Sequence, residues 1–140
     1  MSPDLSTAKK RLAGHTIALC KGDTVLTSDA RGIAPMMGFL TEKRDLTGFS
    51  VADRVVGKAA AMLFVLAKVK EAYAETASVA ARDYLKAHGI PFSYGVLTDK
   101  IVNRAKTGLC PMETAVQDLS DAADGFAALQ RKLEELRRNG

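Results

Sequence analysis

Hydrophobic and polar positions follow different periods in different parts of the chain, and each period predicts a kind of element. Two β-rich runs, 15–20 and 24–28, lie on either side of a Lys-Gly-Asp turn and predict a hairpin. Residues 70–75 predict a further strand, and so do residues 92–98, where large apolar side chains alternate with small or polar ones. Apolar residues at 55–66 fall on all sides of a helical projection, which predicts a largely buried helix.

Residue types that begin and end helices set the other boundaries. The Ser50-x-x-Asp53 pattern predicts a capping box at the start of the long buried helix. Thr76 or Ser78 is predicted to cap the helix that follows, and Gly89 to end it just after residue 88. The other predicted helices run from Pro3 to about 12, from Pro35 to 43, from Pro111 to about 119, and onward from a cap at Ser120.

This order of elements predicts the architecture. The chain contains at least one parallel β-α-β unit beside the hairpin, which predicts a three-layer α/β/α domain with a mixed sheet of four or five strands. Right-handed crossovers bring the starts of successive helices to one edge of the sheet, which is where ligands bind in open α/β sheets. The segments expected at that edge are 50–58, 75–78 and 103–113.

Composition narrows the class of protein. The 140 residues, 47% of them hydrophobic, fit one domain spanning 1–140. The longest apolar stretch, 59–67, is much shorter than the roughly 20 residues of a membrane span, and no signal-peptide pattern is present. Cys20 lies in an apolar run and Cys110 in a loop, a usage typical of reduced thiols. We therefore expect a cytoplasmic protein without a disulfide.

The basic charge balance changes this picture little. The net charge of +4 comes from lysines and arginines that are spread along the chain and over both ends of it. A nucleic-acid surface places aromatic residues among basic residues, so that they stack on exposed bases. The few aromatic residues of this chain lie in apolar segments instead. The sequence therefore argues against nucleic acid as a partner.

Three residues near the predicted start of the buried helix are candidates for ligand binding. Asp53 either accepts the backbone N–H of Ser50 as part of a cap or offers a carboxylate to the pocket. Arg54 and Lys58 are four residues apart and share one helical face, close to backbone donors that attract anions such as phosphate. The same pair is equally consistent with the solvent-exposed stripe of a helix.

Cys110 is the candidate nucleophile. It precedes the predicted helix start at Pro111 and follows Arg104 and Lys106, a setting that favours the thiolate. The alternative is a small side chain that fills the turn before the helix. Glu113 is either a partner of the helix dipole or a general acid/base. Both histidines of the chain lie far away in sequence, which disfavours a Cys/His hydrolase.

No metal site or cofactor is predicted. The two histidines are isolated, the two cysteines are distant from each other, and the chain has no C-x-x-C or H-x-E pattern. These residues provide no set of three or four ligands at a usable spacing, so zinc is disfavoured.

Four strings resemble one family. They are ADRVVGKAAA at 52–61, YAETAS at 73–78, LKAHGI at 85–90, and the stretch 103–116 with its TGLCPME string. The family is an uncharacterised prokaryotic one of small proteins with a cytidine-deaminase-like fold, which agrees with the element order above. Zinc deaminases of that fold have His or Cys ligands at the starts of two helices. The resemblance places these starts at 50–53 and 76–79, where no ligand occurs, so it implies a scaffold without the zinc-dependent reaction.

Three hypotheses follow from the sequence. The leading one is a metal-free domain that binds a small anionic ligand of the nucleotide class at the shared helix edge. Its ligand-binding residues are predicted to be Arg54, Lys58, Thr76, Ser78, Arg104, Lys106 and Gly108. The second is an enzyme in the same pocket, with Cys110 as nucleophile and Asp53 or Glu113 as the proton carrier. The third is a structural or regulatory subunit that forms a homodimer through a sheet edge or a hydrophobic face.

Overall fold

The computed structural model describes residues 2–102 and 108–139 of the chain, which contain six helices and five strands. In chain order they are α1 (Pro3–Arg11), β1 (Ile17–Lys21), β2 (Thr24–Ser28), α2 (Ala34–Thr41), β3 (Ser50–Val56), α3 (Lys58–Ala67), β4 (Glu71–Ser78), α4 (Val79–Ala87), β5 (Phe92–Thr98), α5 (Pro111–Val116) and α6 (Ala122–Asn139). None of these helices is both long and apolar enough to cross a bilayer.

The five strands form one mixed sheet in the order β2-β1-β3-β4-β5. The hairpin partners β1 and β2 are antiparallel, and β1 is also antiparallel to β3. The strands β3, β4 and β5 run parallel to one another. This confirms the predicted hairpin, the mixed sheet and the parallel half that the β-α-β units build.

Alternate residues of the sheet face two separate helix layers. On β1, Ile17 and Leu19 join the large core that includes α3, whereas Ala18 and Cys20 join a smaller cluster with Leu12 near the end of α1. Since successive side chains of a strand point to opposite faces, α1 covers one face of the sheet and α3 the other. The predicted three-layer α/β/α arrangement is therefore confirmed.

The segment from Ser50 is the main point at which the sequence prediction is wrong. Residues Ser50–Val56 form the central strand β3 instead of a capping box and the first turns of a helix. The reason is tertiary: the strand is paired on both sides, with β1 and with β4. The apolar end of the strand, Val55 and Val56, joins the apolar run of the buried helix α3 with only Gly57 between them, so the sequence pattern resembles one long helix.

Several predicted helix ends are confirmed and others move. The Ser2 hydroxyl accepts the N–H of Leu5, and the Ser78 hydroxyl caps α4. Thr76 lies within β4 and caps nothing. The last helix is capped one residue later than predicted, because Asp121 and not Ser120 accepts the N–H of Asp124 at 3.0 Å. Residues 103–107 of the predicted basic loop lie outside the described residues.

Candidate functional site

A cleft of about 500 Å³ opens at the carboxyl ends of the parallel strands. It lies where the starts of α3, α4 and α5 come together, as the predicted crossover geometry requires. Its walls come from these helix starts and from the segments that follow β5 and precede α5. The lining residues are Lys58, Ser78, Ala80, Asp99, Lys100, Leu109, Glu113, Thr114 and Gln117.

The start of α3 is occupied by a carboxylate of the chain itself. Glu113 accepts the backbone N–H of Lys58 at 2.7 Å and that of Ala59 at 2.8 Å, one on each oxygen. The side chain is nearly buried, with 8% of the residue exposed. A carboxylate at a helix start satisfies backbone donors that have no acceptor within the helix, and it meets the positive end of the helix dipole. Glu113 thus fills the place that an external anion would take at α3.

Gly57 makes this contact possible. A Cβ atom at this position would lie 2.6 Å from the carboxyl carbon of Glu113 and 2.8 Å from Oε2. Such distances are far inside van der Waals contact, so a side chain at residue 57 would expel the carboxylate. The φ of Gly57 is −101°, which any residue adopts, so the backbone conformation does not require glycine here. The close approach of Glu113 does.

Lys58 completes the link between α3 and α5. Its Nζ donates to the backbone carbonyl of Gln117 at 3.0 Å, at the end of α5. A cation is favourable at a helix end, as the Glu113 anion is favourable at a helix start. An ammonium group has three N–H donors, so two remain for a ligand in the cleft.

The start of α4 forms the opposite side of the cleft. The Ser78 hydroxyl is almost fully buried and accepts the N–H of Ala81 at 3.0 Å. Ala80 lies in the first turn and is exposed to the cleft. Its N–H has no acceptor within the helix, because the first four N–H groups of any α-helix lack one. Exposed Lys100 adds positive charge nearby, and Asp99 adds an acceptor.

Two predicted ligand-binding residues do not line the cleft. The Arg54 guanidinium pairs with Glu75 at 2.6 Å and donates to the carbonyls of Leu12 at 2.8 Å and His15 at 3.1 Å. Arg54 therefore links the end of α1 to the sheet through hydrogen bonds. Thr76 lies mid-sheet, in register with neighbours on β3 and β5. Arg54 was placed near the cleft only because β3 was predicted to be helical.

The remaining predicted ligand-binding residues lie in the segment before α5. Gly108 is exposed beside Leu109, which lines the cleft. Arg104 and Lys106 lie outside the described residues.

Asp53 is a buried carboxyl within the sheet. It is 7% exposed and lies opposite Ile17 and Ala74 on the neighbouring strands. Its oxygen accepts the N–H of the next residue, Arg54, at 2.8 Å, and not that of Ser50 as the predicted cap required. Burial raises the pKa of Asp53 to about 7, against the opposing effects of this hydrogen bond and of the Arg54 charge. It does not line the cleft.

Cys110 immediately precedes α5 and is half-buried. Its backbone N–H donates to the carbonyl of Ile101 at 2.9 Å, and its carbonyl accepts the N–H of Thr114 at 3.0 Å. These contacts position the backbone, and the residue is not part of the cleft lining. Its role as a nucleophile stays a prediction.

The element order also corrects the two segments of the chain in which zinc ligands were sought by comparison with zinc deaminases. The helix after the hairpin is α2, and the next is α3, so the relevant starts are Ala34 and Lys58 and not the segments beginning at Ser50 and Thr76. Residues 33–36 and 57–60 contain no histidine or cysteine. Within 2–102 and 108–139, no group of three or more His, Cys, Asp or Glu side chains is placed to hold a metal ion.

These features define a class of protein: an α/β domain whose mixed five-stranded sheet opens onto a cleft built from helix starts. The chain belongs to the TM1506 family, described as a domain of unknown function (DUF1893), whose model matches residues 8–133. The predicted membership of an uncharacterised family is thereby confirmed. No curated protein shows a significant match to the chain.

Two solved structures are similar to this fold. The crystal structure of a DUF1893 family protein (TM1506) from Thermotoga maritima matches with a TM-score of 0.85 at 23% identity, over 94% of this chain and 92% of that one. The apo form of dCMP deaminase from the cyanophage S-TIM5 matches with a TM-score of 0.46 at 13% identity, over 67% of this chain and 99% of that one. The first likeness shows a shared fold, and the second carries no argument about activity.

Proposed function

We propose that this protein binds a small ligand with an anionic group, of the nucleotide class, in the cleft between α3, α4 and α5. The observation that carries the proposal is the convergence of the α4 start with Lys58 and Lys100 around one opening. Backbone donors at a helix start combined with lysine ammonium groups favour phosphate. The cavity volume of about 500 Å³ is within the usual range of small-molecule sites.

The position of Glu113 selects where the anionic group binds. Because this carboxylate already bonds the N–H groups of Lys58 and Ala59 at the start of α3, a phosphate is repelled there and favoured at the start of α4. Ala80 provides the N–H donor at that point, and Lys58 and Lys100 provide the charge. The predicted ligand-binding residues Lys58 and Ser78 thus belong to the proposed site, whereas Arg54 and Thr76 do not.

The acidic residues of the cleft favour a nucleotide over a bare phosphate ion. Each Glu113 oxygen accepts one hydrogen bond and retains capacity for another, and the Asp99 carboxylate lies on the same lining. Carboxylates are suitable acceptors for the amino groups of nucleobases. Leu109 adds an apolar surface for a planar base. One ligand with a phosphate at one end and N–H groups at the other satisfies both kinds of lining.

The proposal predicts that Ala80→Asp weakens ligand binding without loss of stability. The new carboxylate occupies the first turn of α4, where it repels a phosphate but is favourable for the helix by about 0.3–1 kcal/mol. Isothermal titration calorimetry with a panel of nucleoside monophosphates and with inorganic phosphate measures the effect. We expect the affinity for the best nucleotide to fall at least about tenfold.

Ala80→Asn is the matched control, because asparagine has nearly the same shape as aspartate and carries no charge. It is expected to retain most of the affinity. Unchanged nucleotide binding by Ala80→Asp, or the absence of binding by the wild-type protein across the panel, contradicts the proposed site. Equal affinity for nucleotides and inorganic phosphate contradicts the assignment of a nucleotide but not that of an anion.

The enzyme hypothesis receives no comparable support. Cys110 does not line the cleft, and Glu113 is held by two backbone N–H groups of α3. A binding function is therefore the one that the geometry favours.

A further inference from the structure

The outer edge of β5 and a neighbouring apolar row form an uncovered surface. β5 is the last strand of the sheet and pairs only with β4 within the described part of the chain. Val55, Thr76 and Val96 are in register across β3, β4 and β5, so their side chains form one row on one face. We call them the Val96 row. Val55 is 48% exposed and Val96 is 58% exposed.

Among the described residues, β5 itself lacks the features that keep edge strands from pairing. Residues Phe92–Thr98 contain no charged residue and no proline, and the strand is seven residues long. Natural edge strands are usually protected by lysine, proline, a bulge or a covering segment, because their free N–H and C=O groups pair readily with another strand. An edge without these features is expected to be covered in the working protein.

The opposite edge of the sheet differs. β2 is five residues long, and its apolar residues Val25 and Leu26 are partly buried against the two core clusters. No large apolar residue of β2 is among the exposed ones, whereas β5 has Val96 and Leu97. Of the two edge strands, β5 is therefore the one with exposed large apolar residues, as far as residues 2–102 and 108–139 show.

From these observations we infer that the β5 edge is the interface of a homodimer, in which β5 pairs antiparallel with β5 of a second copy. A twofold axis makes this pairing self-complementary in its hydrogen bonds, because every residue pair occurs twice. The Val96 rows of the two copies then form one row across the junction, which reduces the exposure of Val96, the member of the row that lies on β5 itself.

The charge distribution favours a second copy over a charged partner. The chain has a net charge of +4, so two copies repel each other through most faces. β5 and the Val96 row contain no charged residue, and the charged residues beside them are paired: Arg54 with Glu75 at 2.6 Å, and Arg82, which hydrogen-bonds Tyr94 of β5, with Asp83 at 3.1 Å. A neutral surface allows two like-charged chains to meet, and it offers nothing to a strongly acidic partner.

Sedimentation equilibrium of the wild-type protein and of Val96→Lys tests the inference. The wild-type chain of 14.9 kDa is expected to sediment with the mass of two chains at roughly 100 µM, a concentration at which even micromolar dimers form. Val96→Lys brings two like charges together across the axis, so we expect the dimer dissociation constant to rise at least about tenfold. A monomeric wild type, or an unaffected Val96→Lys dimer, overturns the inference.

Leu136→Lys on α6 is the matched control. Leu136 is 42% exposed and lies outside the β5 surface, so its replacement is expected to leave the dimer intact. If Leu136→Lys dissociates the dimer as much as Val96→Lys does, a different interface is responsible and the inference is wrong.

Amide hydrogen exchange of the wild type provides a test that needs no variant. Dilution through the dissociation constant is expected to speed exchange in β5 and not in α3, because only the β5 edge loses hydrogen bonds. Dilution-independent exchange in β5 contradicts the pairing even if a dimer is present.

Discussion

Replacing Gly57 by alanine is expected to lower the free energy of unfolding by about 2 kcal/mol, the usual contribution of a hydrogen bond to a charged group. The added Cβ would lie 2.6 Å from the carboxyl carbon of Glu113, so the carboxylate must leave the start of α3. The N–H groups of Lys58 and Ala59 then lose their acceptor, and a nearly buried charge loses its two hydrogen bonds. Urea unfolding followed by circular dichroism measures the difference.

Gly38→Ala is the matched control for this substitution. Gly38 lies inside α2, and a Cβ there meets nothing within 4 Å. The same chemical change is therefore expected to be neutral or to stabilise the protein by up to about 1 kcal/mol, the helix-propensity difference between the two residues. Equal losses at residues 38 and 57 contradict the account of Gly57.

A double-mutant cycle with Glu113→Gln identifies the cause of the loss. If Gly57→Ala acts by expelling the Glu113 carboxylate, the two substitutions affect one contact and their effects are not additive. The double variant is then expected to be about as stable as the less stable single variant. Additive effects would mean that Gly57 acts through some other neighbour.

Asp53→Asn is expected to change how stability depends on pH. Burial raises the pKa of Asp53 from 3.8 to about 7, so the folded protein holds a proton there that the unfolded chain releases. This favours the folded state below about pH 4, and the advantage disappears as the pH rises through about 7. At 1.36 kcal/mol per pH unit, the loss amounts to about 4 kcal/mol. Asparagine cannot ionise, so this loss is absent from the variant.

The measurement is the free energy of unfolding of both proteins between about pH 4 and pH 8. The stability of Asp53→Asn relative to wild type is expected to increase as the pH rises. Asp45→Asn is the control: Asp45 is an exposed carboxyl whose pKa is lowered by its hydrogen bonds to Thr47, so its replacement must not produce the same increase. A constant difference between Asp53→Asn and wild type would show that Asp53 ionises normally in the fold.

Elements with local signals were predictable from the sequence. The hairpin depends on two β-rich runs and a short turn, and α1 depends on Ser2 followed by Pro3, where the hydroxyl does accept a backbone N–H. The α5 start at Pro111 is of the same kind. In each case, the determining residues lie within one short continuous segment, so no knowledge of the rest of the chain is needed.

The central strand β3 was not predictable in this way. Ser50 and Asp53 have the spacing of a capping box, but their partners are distant in sequence: the Ser50 hydroxyl bonds Glu71, and Asp53 lies opposite Ile17. Pairing on both sides outweighs the local helical signal. Periodicity alone cannot separate the strand from a helix here, because the apolar end of β3 continues into the apolar run of the buried helix α3.

The candidate site was predicted in outline and not in detail. The expectation that helix starts meet at one sheet edge brings Lys58, Ser78 and Glu113 into one cleft. The same rule applied to the end of β5 would have added Asp99 and Lys100, which follow that strand directly. The hydrogen bonds from α3 to Glu113 join residues that are 55 and 54 positions apart in sequence, and no local sequence pattern predicts them.

The central claim is that an anionic ligand binds at the start of α4, and an amide-resolved NMR titration tests it most directly. Adding the best-binding nucleoside monophosphate is expected to shift the resonances of Ala80, Lys58 and Lys100 along one saturable curve, with little change in α6. Shifts confined to the basic end of α6 at Arg137 and Arg138, or unsaturable shifts spread over the surface, would contradict the claim.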